Sequence, residues 1–211
     1  MSDPSHFYAL MDYRRRVSEL YAWLRGSELS PEARLLEFRR RRDMLFARHS
    51  QSALSEEQKA KFTGLRYFPY SPDLRFALEV DTQVDPEIWE VHLDEDGLTR
   101  MQRFGRVHFQ VGRRDVSLTL FWILGYGGGA FLPFRDESSK TETYGGGRYL
   151  LDTIKSADLG REGPRLVIDF NYAYNPSCAY NPRWQCPLAP QENWLPVPIR
   201  AGELRYNPEE R

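Results

Sequence analysis

The stretch that decides the fold is Thr99-Arg100-Met101-Gln102-Arg103-Phe104-Gly105-Arg106-Val107-His108-Phe109-Gln110-Val111-Gly112-Arg113-Arg114-Asp115-Val116-Ser117-Leu118-Thr119-Leu120-Phe121-Trp122-Ile123-Leu124. It reads as two strands, Thr99 to Val111 and Asp115 to Leu124, with a turn at Gly112 to Arg114. Gly105 inside the first points to a bulge or sharp bend. Just upstream, Arg75 to Val80 and Glu87 to Leu93 read as two more strands. Asp96-Gly97 marks a hairpin turn into the long strand. Turns this short imply antiparallel pairing.

Before Leu65 the apolar period is helical. Residues 3–25 predict a helix with Asp3 as cap, Pro4 in the first turn, and Leu10, Tyr13, Val17, Leu20, Tyr21 and Leu24 at helical spacing. Residues 31–48 predict a second, with Ser30 as cap and Pro31 at its first position. Ser55-Glu56-Glu57-Gln58 is a capping box that opens a short third helix. Later strands are expected at Arg148 to Asp152, Leu166 to Phe170 and Val197 to Arg200. Helices first and strands afterwards predict an α+β fold. The expected architecture is N-terminal helices packed outside an antiparallel, barrel-like sheet, followed by a long irregular C-terminal loop region. No repeat or long linker divides the chain, so one domain over 1–211 is expected, helical through residue 62 and β-rich from 65 to 204.

Composition narrows the function classes. With 41% apolar and 28% charged residues, the chain is globular rather than disordered. A net charge of -1 supplies no global field for nucleic acid or an anionic membrane. The run Arg39-Arg40-Arg41-Arg42 points around a whole helix, with Glu32, Glu37 and Asp43 nearby, and reads as a solvated or internally paired face. The apolar run Leu118 to Leu124 is too short to span a bilayer. Met1 to Arg16 lacks an apolar signal core, so a cytoplasmic protein is expected. Two cysteines do not make a disulfide framework; Cys178 and Cys186 are expected as reduced thiols. Their spacing fits neither a zinc knuckle nor a redox pair, and no His lies near enough in sequence to activate either as a nucleophile. A mixed metal site of both thiols with carboxylates is the less favoured alternative to two buried thiols.

The stretch from Phe134 to Leu204 mixes carboxylates, amides, an arginine and aromatics with Gly and Pro, without helical period. Such a chain must satisfy its backbone with side chains or water wherever it is buried. Its phrases Glu142-Thr143-Tyr144-Gly145-Gly146-Gly147-Arg148-Tyr149-Leu150, Asp169-Phe170-Asn171-Tyr172-Ala173-Tyr174-Asn175-Pro176-Ser177-Cys178 and Cys186-Pro187-Leu188 through Ile199-Arg200-Ala201-Gly202-Glu203 resemble domain-of-unknown-function family 1684, as do Gly64-Leu65-Arg66-Tyr67-Phe68-Pro69 and Phe131 to Asp136. The likeness runs from about the second helix onward. Where the family pattern has Thr-Ser-Gly, this chain has Ser138-Ser139-Lys140. The resemblance implies no activity and no cofactor.

The residues themselves mark a site. Glu142, Asp169 and Glu203 are candidate general acids or bases, each beside apolar neighbours that raise a carboxyl pKa by desolvation; Asp152 shares that setting. Tyr144, Arg148, Asn171, Asn175, Asn193 and Arg200 are candidate ligand-binding groups. Arg148 after three glycines suits an anion clamp, or a tight turn with the arginine paired internally. No metal set is assigned. Gly125 to Ala130 fits a dinucleotide fingerprint only formally, since no helix pattern follows. Trp89, Trp122, Trp184 and Trp194 are core, strand-pair or pocket-wall residues. Two functions stay open. One is binding of a small polar or anionic molecule, extending to hydrolysis. The other is a non-enzymatic module with a protein partner or homo-oligomer, its polar residues forming a structural staple. The expectation is that Glu142, Tyr144 and Arg148 face Asp169, Asn171 and Glu203 across one network.

Overall fold

A computed structural model describes residues 4–93 and 97–207. Helices α1 (Pro4–Gly26), α2 (Pro31–Arg48) and α3 (Glu56–Lys61) come first. The strands follow: β1 (Arg75–Leu78), β2 (Ile88–Leu93), β3 (Gly97–Val111), β4 (Arg114–Ile123), β5 (Gly129–Asp136), β6 (Arg148–Asp152), β7 (Arg161–Glu162), β8 (Arg165–Asp169) and β9 (Trp194–Leu195). Asp3 and Asp96, the expected cap and turn residues, lie outside the described residues. Among the described residues no helix is long and apolar enough to cross a membrane.

Ser30 stands at the start of α2, but its side chain makes no capping bond. Its carbonyl accepts the Arg34 N–H at 2.8 Å, and Pro31 needs no partner for an absent N–H. The Ser55–Gln58 capping box is complete. The arginine run divides by helical angle. Arg40 and Arg41 pair with Glu37, Arg39 lies over the Tyr67 ring, and Arg42 turns inward.

One sheet runs β2-β3-β4-β5-β6, antiparallel throughout, with β9 added parallel to β5. A second runs β1-β8-β7, and an Asp81–Arg106 bridge stitches the chain after β1 to β3. Together they curl into a half-barrel with the N-terminal helices outside. The curl has a local cause at Gly105, where the β3–β4 register shifts between Arg103 and Gly105. A Cβ there would strike Val80 and sit 3.3 Å from the Asp81 carbonyl, so the close strand approach requires glycine.

The strand β5 was not expected, and Val197 to Arg200 is not a strand. Pro133 masks β5, because a proline removes a ladder N–H; it sits where the β5–β6 register shifts between Leu132 and Pro133. A strand rather than a helix follows the Gly-rich turn, which agrees with rejecting the dinucleotide reading. Around Ile199 the backbone partners are side chains, described below.

The sheet interior holds Val107, Leu118, Leu120, Leu132, Phe134, Phe170 and Ile199, all buried. Phe134 and Phe170 meet edge to face at 5.1 Å. A second cluster joins Leu20, Tyr21 and Leu24 of α1 with Leu35 and Phe38 of α2 against Ala157 and Tyr172. This cluster seats the helices on the barrel. It also sets α1 and α2 beside the irregular chain from Tyr174 to Cys186.

Candidate functional site

The Gly-rich turn delivers Arg148 to the start of β6, opposite Phe134. Gly147 has φ +92, and a Cβ on it would run into the Phe134 carbonyl, so only glycine permits this pairing. Arg148 is 0% exposed. Its Nη2 donates to Asp136 Oδ1 at 3.2 Å and to the Ile199 carbonyl at 2.9 Å. Its Nη1 donates to the carbonyls of Ala201 and Glu203. Asp136 Oδ2 accepts the Ile199 N–H at 2.7 Å, the Ser138 N–H at 3.1 Å and the Ser138 hydroxyl at 2.6 Å. The ion pair thus takes the backbone bonds that a neighbouring strand would otherwise supply to residues 199–203. Burial lowers the Arg148 pKa, and the Asp136 carboxylate opposes that shift. The guanidinium has no surface left for a ligand.

The other residues marked in the sequence separate into local ties. Asn193 donates to the carbonyls of Thr119 and Pro133 at 2.9 and 2.7 Å and accepts the Thr119 N–H, holding the chain before β9 to the sheet. Asp169 accepts the Asn171 N–H and side-chain amide at 2.9 and 2.8 Å, while Asn171 exchanges two bonds with the Ser71 backbone. Burial raises the Asp169 pKa, and the Asn171 bonds partly offset it. Glu142 and Arg200 pair at 3.0 Å near the surface. Tyr144 puts its hydroxyl 3.6 Å from Cys178 Sγ. Arg148 and Glu203 do meet, but through the Glu203 carbonyl. Glu142 and Asp169 lie outside that contact.

The Glu203 carboxylate faces away from Arg148, toward α2. Oε2 lies 2.8 Å from Arg42 Nη1 and accepts the Asn175 N–H at 3.1 Å; Oε1 accepts the Tyr180 hydroxyl. Arg42 also donates to the Tyr67 and Tyr180 hydroxyls at 3.1 and 3.3 Å. Burial works against the Arg42 charge, but Glu203 and the two tyrosines hold its pKa well above the usual value.

Arg42, Asn175 and Tyr180 form one side of a cavity of about 440 Å³. It lies between α1, α2 and the chain from Tyr174 to Cys186. Its size is that of a small-molecule pocket. Leu20, Tyr21, Phe46, Tyr149, Tyr174 and Trp184 give it an aromatic and aliphatic wall. Its charged lining is Arg14, Arg42 and Lys155, with no carboxylate among the described residues. Lys155 pairs with Asp152 at 2.7 Å, yet its side chain is 61% exposed and borders the cavity. Burial pushes the Tyr149 and Tyr174 hydroxyls well above their usual pKa, so they remain neutral. The buried Tyr174 Oη and Asn175 Oδ1 have no hydrogen-bond partner among the described residues.

Cys186 also borders the cavity. Both cysteines are free, and the Cys178 N–H points at Cys186 Sγ at 3.4 Å. The Cys178 thiol, its N–H and the Lys155 charge bring Cys186 down to about 7 against its desolvation. Of the acid–base and ligand-binding candidates marked in the sequence, only Asn175 lines this cavity directly, beside Trp184 and Cys186, and Glu203 acts behind Arg42. Arg42 was hidden in an arginine run whose inward member only the helix angle reveals. Lys155 sits on a 3-10 turn with no motif around it. Among the described residues no cluster of His, Cys, Asp and Glu is arranged to hold a metal.

The profile of the family described as "Protein of unknown function (DUF1684)" matches residues 60–204. The chain belongs to this family. The solution NMR structure of an uncharacterised protein of Haloarcula marismortui, at 31% identity, aligns with a TM-score of 0.57 over 82% of this chain and 93% of that one. No curated protein matches. Domain-of-unknown-function family 1684 therefore supplies membership and fold, while chemistry has to come from the side chains. The cavity's α1 and α2 wall lies entirely before residue 60, outside the family match.

Proposed function

We propose that the protein binds a small organic anion with a flat apolar body, such as an aromatic carboxylate, in the cavity between the helices and the chain from Tyr174 to Cys186. The observation that carries this reading is the lining: Arg14, Arg42 and Lys155 with tyrosine hydroxyls and aromatic faces, and no carboxylate among the described residues. The carboxylates Asp152 and Glu203 that pair with Lys155 and Arg42 are not themselves part of the lining. The orphan Tyr174 hydroxyl is a neutral donor beside the same space. Acid–base hydrolysis by a carboxylate finds no group in this wall, so the reading is binding. Arg148, Asp136 and Asn193 belong to the scaffold behind it.

The test is thermal unfolding with benzoate, 4-hydroxybenzoate and inorganic phosphate, with neutral benzamide as the control. A ligand at a hundred times its Kd adds about 2.7 kcal/mol to apparent stability. The benzoates are expected to raise Tm and benzamide to leave it unchanged. Lys155→Met made together with Asp152→Asn, which leaves no buried carboxylate unpaired, is expected to lose the response that Asp152→Asn alone keeps. An anion favours the neutral Cys186 thiol. The response is therefore full below about 7 and declines as pH rises through that value. Equal shifts with benzamide and benzoate would remove the charge argument.

A further inference from the structure

The Cys178–Cys186 contact carries an inference that does not rest on the ligand reading. Seven residues separate these cysteines in sequence, a spacing of no known redox motif, yet the fold makes them neighbours. The 3-10 turn Ser177–Ala179 aims the Cys178 N–H at Cys186 Sγ at 3.4 Å, which sets the two cysteines side by side. The groups facing the pair are Tyr144, whose hydroxyl is 3.6 Å from Cys178 Sγ, with Tyr149 and Lys155 on the Cys186 side. Cys186 borders the cavity and is half-buried, so small oxidants have a path to it. A thiolate supported by N–H and S–H donors and a nearby ammonium is the nucleophilic form of cysteine.

We infer that Cys186 is a peroxide-reactive thiolate with Cys178 as its resolving thiol, and that a hydroperoxide converts the pair to an intramolecular disulfide. In the first step the Cys186 thiolate attacks the terminal oxygen of the hydroperoxide. An S–O bond forms, the O–O bond breaks, and the departing alkoxide takes a proton to leave as an alcohol. Cys186 is oxidised by two electrons to a sulfenic acid and the peroxide is reduced by two. In the second step the Cys178 sulfur attacks the Cys186 sulfur. The S–S bond forms, the S–O bond breaks, and the hydroxyl leaves as water with the Cys178 proton. A reducing thiol reverses the change by disulfide exchange. The chain between the two cysteines carries Tyr180 and Trp184, which are tied to Glu203 and to the Ala53 carbonyl. Oxidation therefore fixes one wall of the cavity and removes a negative charge from it.

The alkylation and disulfide experiments use the full wild-type chain, so neither depends on a variant that folds. Iodoacetamide alkylation is followed by peptide mass spectrometry across pH. Cys186 is expected to react first, with a midpoint near 7. At pH 7 its rate is expected roughly threefold above free cysteine, since the larger thiolate fraction is offset by lower intrinsic nucleophilicity. Cys178 is expected to be slower by roughly tenfold or more. One equivalent of hydrogen peroxide, followed by non-reducing peptide mapping, is expected to give a Cys178–Cys186 disulfide within one chain. In Cys178→Ser, dimedone is expected to trap a sulfenic acid on Cys186. Equal alkylation of both thiols with an ordinary cysteine midpoint overturns the inference. So does peroxide treatment that leaves both thiols free or links them only between chains.

Discussion

Arg148 and Arg42 are both buried arginines in reach of Glu203, but they are satisfied in different ways. Arg148 spends the donors of its two Nη atoms on Asp136 and on the carbonyls of Ile199, Ala201 and Glu203. Arg42 spends its donors on side chains, the Glu203 carboxylate and two tyrosine hydroxyls, at the edge of a cavity. A guanidinium bonded to backbone replaces a missing strand and fixes a loop. One bonded to side chains beside open space leaves an adjustable polar wall. Buried charge by itself therefore does not mark a binding site; the nature of its partners separates a clasp from a pocket.

The strongest way to break this contrast is Arg148→Ala. It strands Asp136 in a dry interior and frees carbonyls around residue 201, and is expected to cost about 3–5 kcal/mol in denaturant unfolding. A loss under about 1 kcal/mol would show that water reaches the clasp. Next comes the Arg42–Glu203 pair. Arg42→Met alone is expected to cost about 3 kcal/mol, because the Glu203 carboxylate is left buried without its partner. Arg42→Met with Glu203→Gln is expected to lose less than the two single changes combined, by roughly 0.5–3 kcal/mol in a double-mutant cycle. Simple additivity would mean the pair is not coupled. The smallest effect belongs to the Glu142–Arg200 pair near the surface. Arg200→Ala is expected to change stability by no more than about 1 kcal/mol, and the change should shrink further in high salt.

The sequence revealed those parts of the fold whose local signals agree with the tertiary structure. Residues 31–48 carry helical period with Pro31 at the start, and α2 has those bounds. Gly105 announced a bulge, and the β3 register shifts there. Where a residue type carries two meanings, the reading failed. Pro133 argues against a central strand, yet β5 tolerates it at an irregular register. Val197 to Arg200 has a strand's apolar content, but Asp136 and Arg148 take its hydrogen bonds. The burial of Asp169 and Glu203 was legible from their apolar neighbours, but the same argument failed for Glu142, which pairs with Arg200 near the surface. The direction of the Glu203 carboxylate was not legible, because it depends on a helix more than 150 residues away in sequence, through Arg42. Cys186 was set aside for want of a histidine, and the group that lies against it is a second cysteine.

The central claim is that the clasp and the pocket are separate. The most direct measurement is a titration of the isotope-labelled protein with 4-hydroxybenzoate, followed by amide chemical shifts. The account predicts saturable shifts at Lys155, Tyr174, Ser177 and Cys186, with residues 145–148 and 199–202 unmoved. Shifts gathered at Glu142, Arg148 and Arg200, or no response to any of the benzoates, would contradict it.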